Sequence, residues 1–486
     1  MVLNYRMIVK ILGVILWIIS ASMVPPLIVS MYYNETPAIY SFAACIAIGT
    51  IAGIFAQKVT IKSHAVRIRD GYAIAALCWI VGSLIGALPF VMSGAIPSFI
   101  DAYFETVSGF TTTGASILTD IEALPKGILF WRSFTHWLGG MGILVFVIAL
   151  LPALGIGGQQ IAKAETPGPV LDKVSSKISD TAKILYLIYI ALTAIEIILL
   201  LLGGMGPYDS FVHTFGTMGT GGFSTYNASI AGFNSLYAEI VIGIFMILAG
   251  INFNLYYELI KGKWREFFTD NELRVYFLIL VSSMLLIGLN LYFTGTYASS
   301  GETARYTFFQ VASITTTTGY ATADFDLWPT FSKMLLFILM FVGGCSASTS
   351  GSVKVIRVII AFKLIGREIF RKLHPRAVVP VKLDGRPVPA GIVSAIASFI
   401  FLYFLLYFLG MILISLDGYG MVVSASAAAA TLGNIGPGFE LVGPVMNYSI
   451  FSDPVTLLMC FLMLAGRLEL FTIILLLLPG FWNPDR

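Results

Sequence analysis

Thr111-Thr112-Thr113-Gly114, Met218-Gly219-Thr220-Gly221, Thr316-Thr317-Thr318-Gly319 and Gly433-Asn434-Ile435-Gly436 are four short polar stretches in a very apolar chain. Their last glycines lie 107, 98 and 117 residues apart. Each stretch ends a short, mostly apolar segment: 98–110, 207–217, 303–315 and 419–432. Crossing a bilayer as a helix takes about 20 residues, so these segments do not span. A long apolar run follows each one. The pattern is therefore membrane helix, short helix, polar loop, membrane helix, four times over. Non-helical backbone at membrane depth is tolerated only where it lines a cavity or is buried in protein. The short segments are expected to be re-entrant pore helices, and four such units close a pseudo-fourfold ring around one axis.

Composition sets the frame. The chain has 486 residues, 57% hydrophobic and only 11% charged, where a soluble protein carries about 25% charged residues. The deficit runs the whole length, which predicts an integral membrane protein rather than a soluble domain on one anchor. A formal net charge of +3 is too small to argue for nucleic acid as a partner. Cys45, Cys78, Cys345 and Cys460 lie in or beside apolar runs without CxxC spacing, so disulfides and a zinc site are not expected. The sequence has no HExxH, GxSxG or P-loop lysine, and only four histidines, so no catalytic role or covalent cofactor is expected. Arg6 and Lys10 precede the first apolar run with no small-residue cleavage site, which reads as a retained helix rather than a signal peptide.

Ten long apolar runs stand near 7–31, 38–57, 72–92, 129–152, 183–204, 236–260, 274–294, 332–361, 391–415 and 455–480. The fold class expected is all-α: an N-terminal transmembrane hairpin (1–65), then pore repeats at 66–160, 161–265, 266–375 and 376–486. An even number of crossings per unit returns every polar loop to one face. Basic residues mark the opposite face: Lys58, Lys62, Arg67 and Arg69; Lys163, Lys173, Lys177 and Lys183; Lys261, Lys263, Arg265 and Arg274; and the dense run from Lys354 and Arg357 to Arg386. The positive-inside rule makes that face, and the N-terminus, cytoplasmic. Flanks of the four loops instead carry acids, among them Asp101, Glu105, Asp120, Glu122, Asp209 and Glu440. Either these acids concentrate cations at an outer mouth, or outer loops simply lack Lys and Arg.

Passing a dehydrated cation takes oxygen ligands at fixed spacing and no charge that traps the ion. Threonine offers a carbonyl and a hydroxyl without charge, and glycine opens backbone angles closed to other residues. Pore-helix C-termini add partial negative charge facing the axis. All sixteen loop residues are therefore filter candidates. Potassium ligands are expected at Thr112, Thr113, Gly219, Thr220, Thr317, Thr318, Asn434 and Ile435.

Run 332–361 is interrupted by Gly343-Gly344-Cys345-Ser346-Ala347-Ser348-Thr349-Ser350-Gly351-Ser352. Small and polar residues there disfavour a continuous helix. The stretch is either a close helix-packing surface or a flexible intramembrane loop below the filter. Arg467 sits in mid-run in the last apolar segment. A lone arginine at that depth faces the bundle interior, as one half of a structural ion pair or as a positive charge opposing cation flow. Glu196 inside run 183–204 is read as a buried, paired acid in preference to a proton-coupling one. His136 and His213 are read as packing or hydrogen-bonding residues.

At this point the chain resembles a family. Ser108 to Ala115, Met218 to Thr225, Thr316 to Tyr320, Gly433 to Gly436, Gly343 to Ser352 and Gly466-Arg467-Leu468-Glu469 are together similar to the Trk/Ktr/HKT superfamily of potassium and sodium transporters, its TrkH-type membrane subunits above all. The extra N-terminal hairpin fits that branch. The resemblance maps the filter glycines to Gly114, Gly221, Gly319 and Gly436, the potassium-selective pattern. It makes 343–352 a gate and Arg467 a barrier. It implies a homodimer in the bacterial inner membrane, with a cytoplasmic TrkA-type subunit that binds nucleotide. Basic segment 362–386 is the docking candidate, or else a loop beside anionic lipid. The rival function is a secondary potassium symporter driven by protons or sodium.

Overall fold

The computed structural model describes residues 3–60, 67–142 and 178–482. Lys62, Lys163, Lys173, Lys177 and the second half of run 129–152 lie outside the described residues. Two helices, α1 (Tyr5–Ser22) and α2 (Val24–Tyr32), make one long apolar rod, and α3 (Thr36–Gln57) returns along it. They pack on α4 (Ile68–Met92) and α6 (Lys126–Gly140), with pore helix α5 (Phe99–Phe110) between those two in sequence.

The second unit has α7 (Ile178–Leu202), pore helix α8 (Pro207–Gly219), α9 (Leu236–Ala249) and α10 (Phe253–Ile260). After the short α11 (Trp264–Thr269), the third unit has α12 (Asn271–Phe293), pore helix α13 (Ser300–Thr315), α14 (Thr330–Leu339) and α15 (Val355–Leu373). The fourth has α16 (Ala390–Ile414), pore helix α17 (Met421–Leu432), α18 (Asp453–Arg467), α19 (Phe471–Leu477) and α20 (Pro479–Trp482). A two-residue antiparallel pair, β1 (Lys382–Leu383) with β2 (Arg386–Pro387), is a small exception to the all-α expectation.

Local chemistry fixes the pore-helix starts. Ser98 and Ser299 accept the backbone N–H of Asp101 and Glu302 at N3, and Pro207 stands where a first-turn N–H would go unbonded.

Among the described residues six helices are long and apolar enough to span, seven if the bent pair α9–α10 is one span. The six are the two hairpin rods and the first helix of each unit. The second helix of every unit is broken. This corrects the sequence expectation, which interrupted only run 332–361. In unit one, α6 stops at Gly140, with Gly142 at φ +74°. In unit two, α9 and α10 meet at 93°. In unit three, residues 340–354 are non-helical. In unit four, Glu469 and Leu470 at φ +59° and +57° separate α18 from α19. In units one and four the break stands where a pore helix comes close. A methyl group on Gly139 or on Gly466 would fall closer than 3.0 Å to the carbonyl of Phe110 or of Leu432, each the last residue of a pore helix. Runs of apolar residues carry no signal for a kink made by a neighbour's backbone.

Candidate ion pathway

Each pore helix ends in the same way. The N–H of Thr113 donates to Ser108 O, Gly221 to Gly216 O, Thr318 to Ser313 O and Ile435 to Ala430 O, at 2.8, 2.8, 2.8 and 2.9 Å. The residue before each donor is left-handed: Thr112 at φ +56°, Thr220 at +54°, Thr317 at +58° and Asn434 at +54°. This is the Schellman ending, usually built on glycine. Threonine in that region is strained, and such strain gathers at functional sites. The residue after each donor is again left-handed: Gly114 at +81°, Gly222 at +78°, Gly319 at +85° and Gly436 at +99°.

The matching register is therefore Thr111–Gly114, Gly219–Gly222, Thr316–Gly319 and Gly433–Gly436. The second loop is one residue off the sequence alignment, which ended it at Gly221 and began it at Met218. Met218 lies inside α8, and Gly219 corresponds to Thr111 rather than Thr112. Gly221-Gly222 is a pair, and the motif alone does not say which one takes the left-handed place. The cause of the difference is plain: Gly221 backs onto the His136 ring, while Gly222 faces the next loop.

The four loops close on one another in order. A methyl group built on Gly114 would fall closer than 3.0 Å to the carbonyl oxygen of Gly221, one on Gly222 to that of Thr318, one on Gly319 to that of Ile435, and one on Gly436 to that of Thr113. Each glycine thus touches the carbonyl that precedes the glycine of the next unit, and the fourth returns to the first. All four glycines line one open cavity.

A second ring lies on the cavity side. Ile121 N donates to Asn227 Oδ1 at 2.8 Å, Ala231 N to Ala321 O at 3.2 Å, Glu440 N to Asp326 Oδ2 at 2.6 Å and Tyr448 N to Ser116 O at 2.8 Å. These contacts join units one to two, two to three, three to four and four to one, so all four loops open on the same face.

Glu105 does not belong to that mouth. It is buried, bound to Arg132 Nε at 2.5 Å, and accepts hydrogen bonds from Ser116 Oγ and Ile117 N. Arg132 also donates to Ser224 O at 3.0 Å and lies 3.6 Å from the centre of the Phe223 ring. The pair stitches the first loop to the second, a role that no sequence motif announced. Asp120, Glu122 and Glu440 are exposed at the mouth.

The interrupted stretch of unit three lies across the other side of the ring. Gly351 N donates to Thr317 Oγ1 at 2.7 Å, Cys345 N to Gly250 O at 2.9 Å and Thr349 Oγ1 to Ala249 O at 3.1 Å. Gly343, Ala347, Ser352 and Lys354 have positive φ. Gly344 packs against the Ser350 side chain and the Gly250 carbonyl, and Ser346 and Ser348 bond to Glu272 and to Cys345 O. The non-helical segment runs through Lys354, past the expected end. Lys354 and Arg357 are 3% and 6% exposed, so neither belongs to the surface basic run in which the sequence placed it. Lys354 Nζ donates to Ser350 O, and Arg357 pairs with Glu469.

Arg467 gathers these parts. It donates to Thr112 Oγ1 at 3.3 Å, Thr349 O at 2.8 Å, Gly139 O at 2.5 Å and Gly140 O at 2.8 Å. A guanidinium is thus set between the first filter loop, the broken helix of unit one and the intramembrane loop. Glu196 is buried as expected, yet neither carboxyl oxygen has a hydrogen-bond partner among the described residues. His136 and His213 are buried and bonded to Gly109 O and to Asp209 O and Ser224 Oγ.

Comparison with known proteins agrees with this architecture. The TrkH family, described as cation transport proteins, matches residues 38–480. The chain belongs to the TrkH family. It is 39% identical over 491 residues to the Trk system potassium uptake protein TrkH of Halomonas elongata, covering 99% of this chain and 100% of that one. It is 37% identical over 487 residues to the Escherichia coli protein of the same name, again over 99% and 100% of the two chains. The crystal structure of the potassium transporter TrkH from Vibrio parahaemolyticus superposes with a TM-score of 0.88 at 35% identity, covering 99% of this chain and all of that one. The TrkH-family chain is thus a helical membrane protein of a transporter family, not an enzyme.

Proposed function

We propose that this protein is a channel-like potassium uptake protein of the bacterial cytoplasmic membrane, with its N-terminus inside. The observation that carries the reading is the cyclic closure of the four loops, each glycine against the carbonyl of the next. Uncharged oxygens held at fixed spacing replace the hydration of a monovalent cation without trapping it. The proposed ligands are the backbone carbonyls of Thr112, Thr113, Thr220, Gly221, Thr317, Thr318, Asn434 and Ile435. The ion leaves the mouth, passes the ring and meets the 343–354 loop and Arg467, which together form the gate. The protein works as a homodimer, under a cytoplasmic TrkA-type subunit that binds nucleotide and docks near 362–386. The names of the relatives, Trk system potassium uptake proteins, support potassium as the cargo.

Flux into liposomes tests the reading. Wild type is expected to pass potassium and rubidium faster than sodium, and Gly114→Ser, whose Cβ meets the Gly221 carbonyl, is expected to lower both the flux and that preference. Equal rates for the three ions in wild type would overturn it. A symport reading draws on Glu196, a buried carboxyl without a hydrogen-bond partner among the described residues. Potassium flux driven by a proton gradient alone, and lost in Glu196→Gln, would favour symport over a channel.

A further inference from the structure

Glu272 stands in the first turn of α12, outside the filter and outside the intramembrane loop. It is buried, and burying a carboxylate is costly unless donors surround it. The donors come from the middle of the 340–354 loop and from the helix start that follows it. Ser346 gives its N–H to Oε1 and its hydroxyl to Oε2, each at 2.6 Å. Ile356, ten residues further on, gives its N–H to the same Oε1 at 3.2 Å. Ser346 lies midway along the non-helical stretch, and Ile356 is the second residue of α15. The carboxylate therefore caps the N-terminus of α15, where the helix dipole favours negative charge, and at the same time holds the middle of the loop. Lys354 lies near enough to act on it electrostatically. Arg357, one residue past Ile356, is held separately by Glu469 from the far side.

We propose that Glu272 is the positioning residue of the gate. It clasps the loop at Ser346 and the start of α15 at Ile356 to the first helix of their own unit, so that the segment between the clasps, 347–355, spans the path. That segment contacts Thr317 through Gly351 and Arg467 through Thr349. Without the clasp, Ser346 and Ile356 separate and the loop leaves its place under the ring. The proposal rests on the reading of this loop as a gate. A glutamine at 272 keeps the volume and one oxygen for the two backbone N–H groups, and its amide N–H₂ can donate to the Ser346 hydroxyl, so what it removes is the negative charge at the N-terminus of α15 and beside Lys354. Aspartate keeps the charge on a shorter arm.

Two readouts on the reconstituted full chain test it. The first is potassium flux without any regulatory partner. The second is the reaction rate of buried Cys345, one residue before Ser346, with a small thiol reagent, resolved by peptide mass spectrometry. Glu272→Gln is expected to raise both several-fold with the potassium preference retained, Glu272→Asp to fall between, and Ser346→Ala to add little on top of Glu272→Gln. An unchanged Cys345 rate in Glu272→Gln overturns the clasp, whatever the flux. A raised Cys345 rate with unchanged flux also overturns it, and Arg467→Ala then locates the fault. If that variant raises flux, the gate reading stands and Glu272 does not position it; if it does not, the gate reading fails too. A loss of folded protein in Glu272→Gln transfers the test to Glu272→Asp, where an unchanged Cys345 rate is the contrary result.

Discussion

At the scale of single residues, the ring depends on which atoms face which. Gly222 meets the backbone carbonyl of Thr318, and no side-chain change can move that oxygen. Gly221 meets the ring of His136, which can be cut back. Gly222→Ala is therefore expected to abolish most potassium flux, with about 1–2 kcal/mol of left-handed strain added to the clash. Gly221→Ala is expected to lose flux too, but to regain part of it in the His136→Ala background, while Gly222→Ala is not rescued there. Rubidium uptake into liposomes measures all four variants, and rescue of Gly222→Ala would contradict the register. Asn434, which breaks the threonine pattern, fits its place: asparagine tolerates φ +54° better than threonine. Its side-chain amide donates to Thr113 Oγ1 and Met463 O, both at 2.9 Å. Arg467 is bonded to four oxygens on three elements, one of them the 340–354 loop. Arg467→Ala is expected to raise basal flux several-fold in folded protein, and an unchanged flux would remove it from the barrier.

At the scale of elements, the pore helices were legible because their signal is local: a short apolar segment ending in threonine or glycine, with a capping serine or first-turn proline in three of the four. The long first helices were legible for the same reason. The breaks in α6, α9–α10 and α18–α19 were not, because the groups packed against each one lie far away in sequence: Phe110 O at Gly139, the Tyr276 side chain at Gly250 and Leu432 O at Gly466. Charges misled where burial was hidden: Glu105 and Lys354 look like surface residues on paper and sit inside the bundle. The Arg132–Glu105 pair is the largest consequence of that kind. Removing one partner of a buried ion pair leaves an orphaned charge and costs about 3–5 kcal/mol. Arg132→Met is expected to lower the melting temperature in detergent sharply. Adding Glu105→Gln, which neutralises the orphan and keeps an acceptor for Ser116 and Ile117, is expected to recover part of the loss. A double variant no more stable than the single one would argue that the pair matters for packing rather than charge.

At the scale of the whole molecule, the two rings of contacts set all four loops toward one face, and the proposed topology puts Lys261 and Arg371 on the other. Single cysteines at Asp120 and Glu440 are expected to react with a membrane-impermeant maleimide from outside the cell. Cysteines at Lys261 and Arg371 are expected to react only after the cell is opened. The native thiols at 45, 78, 345 and 460 are buried and give little background. Labelling of both sets from one side would contradict the topology. The central claim, that carbonyls of four loops converge on one cation path, has a more direct test. A crystal soaked in rubidium, examined by anomalous scattering, is expected to show density on the axis between the Thr112, Thr220, Thr317 and Asn434 carbonyls. Rubidium bound elsewhere in the protein, with an empty axis, would contradict it.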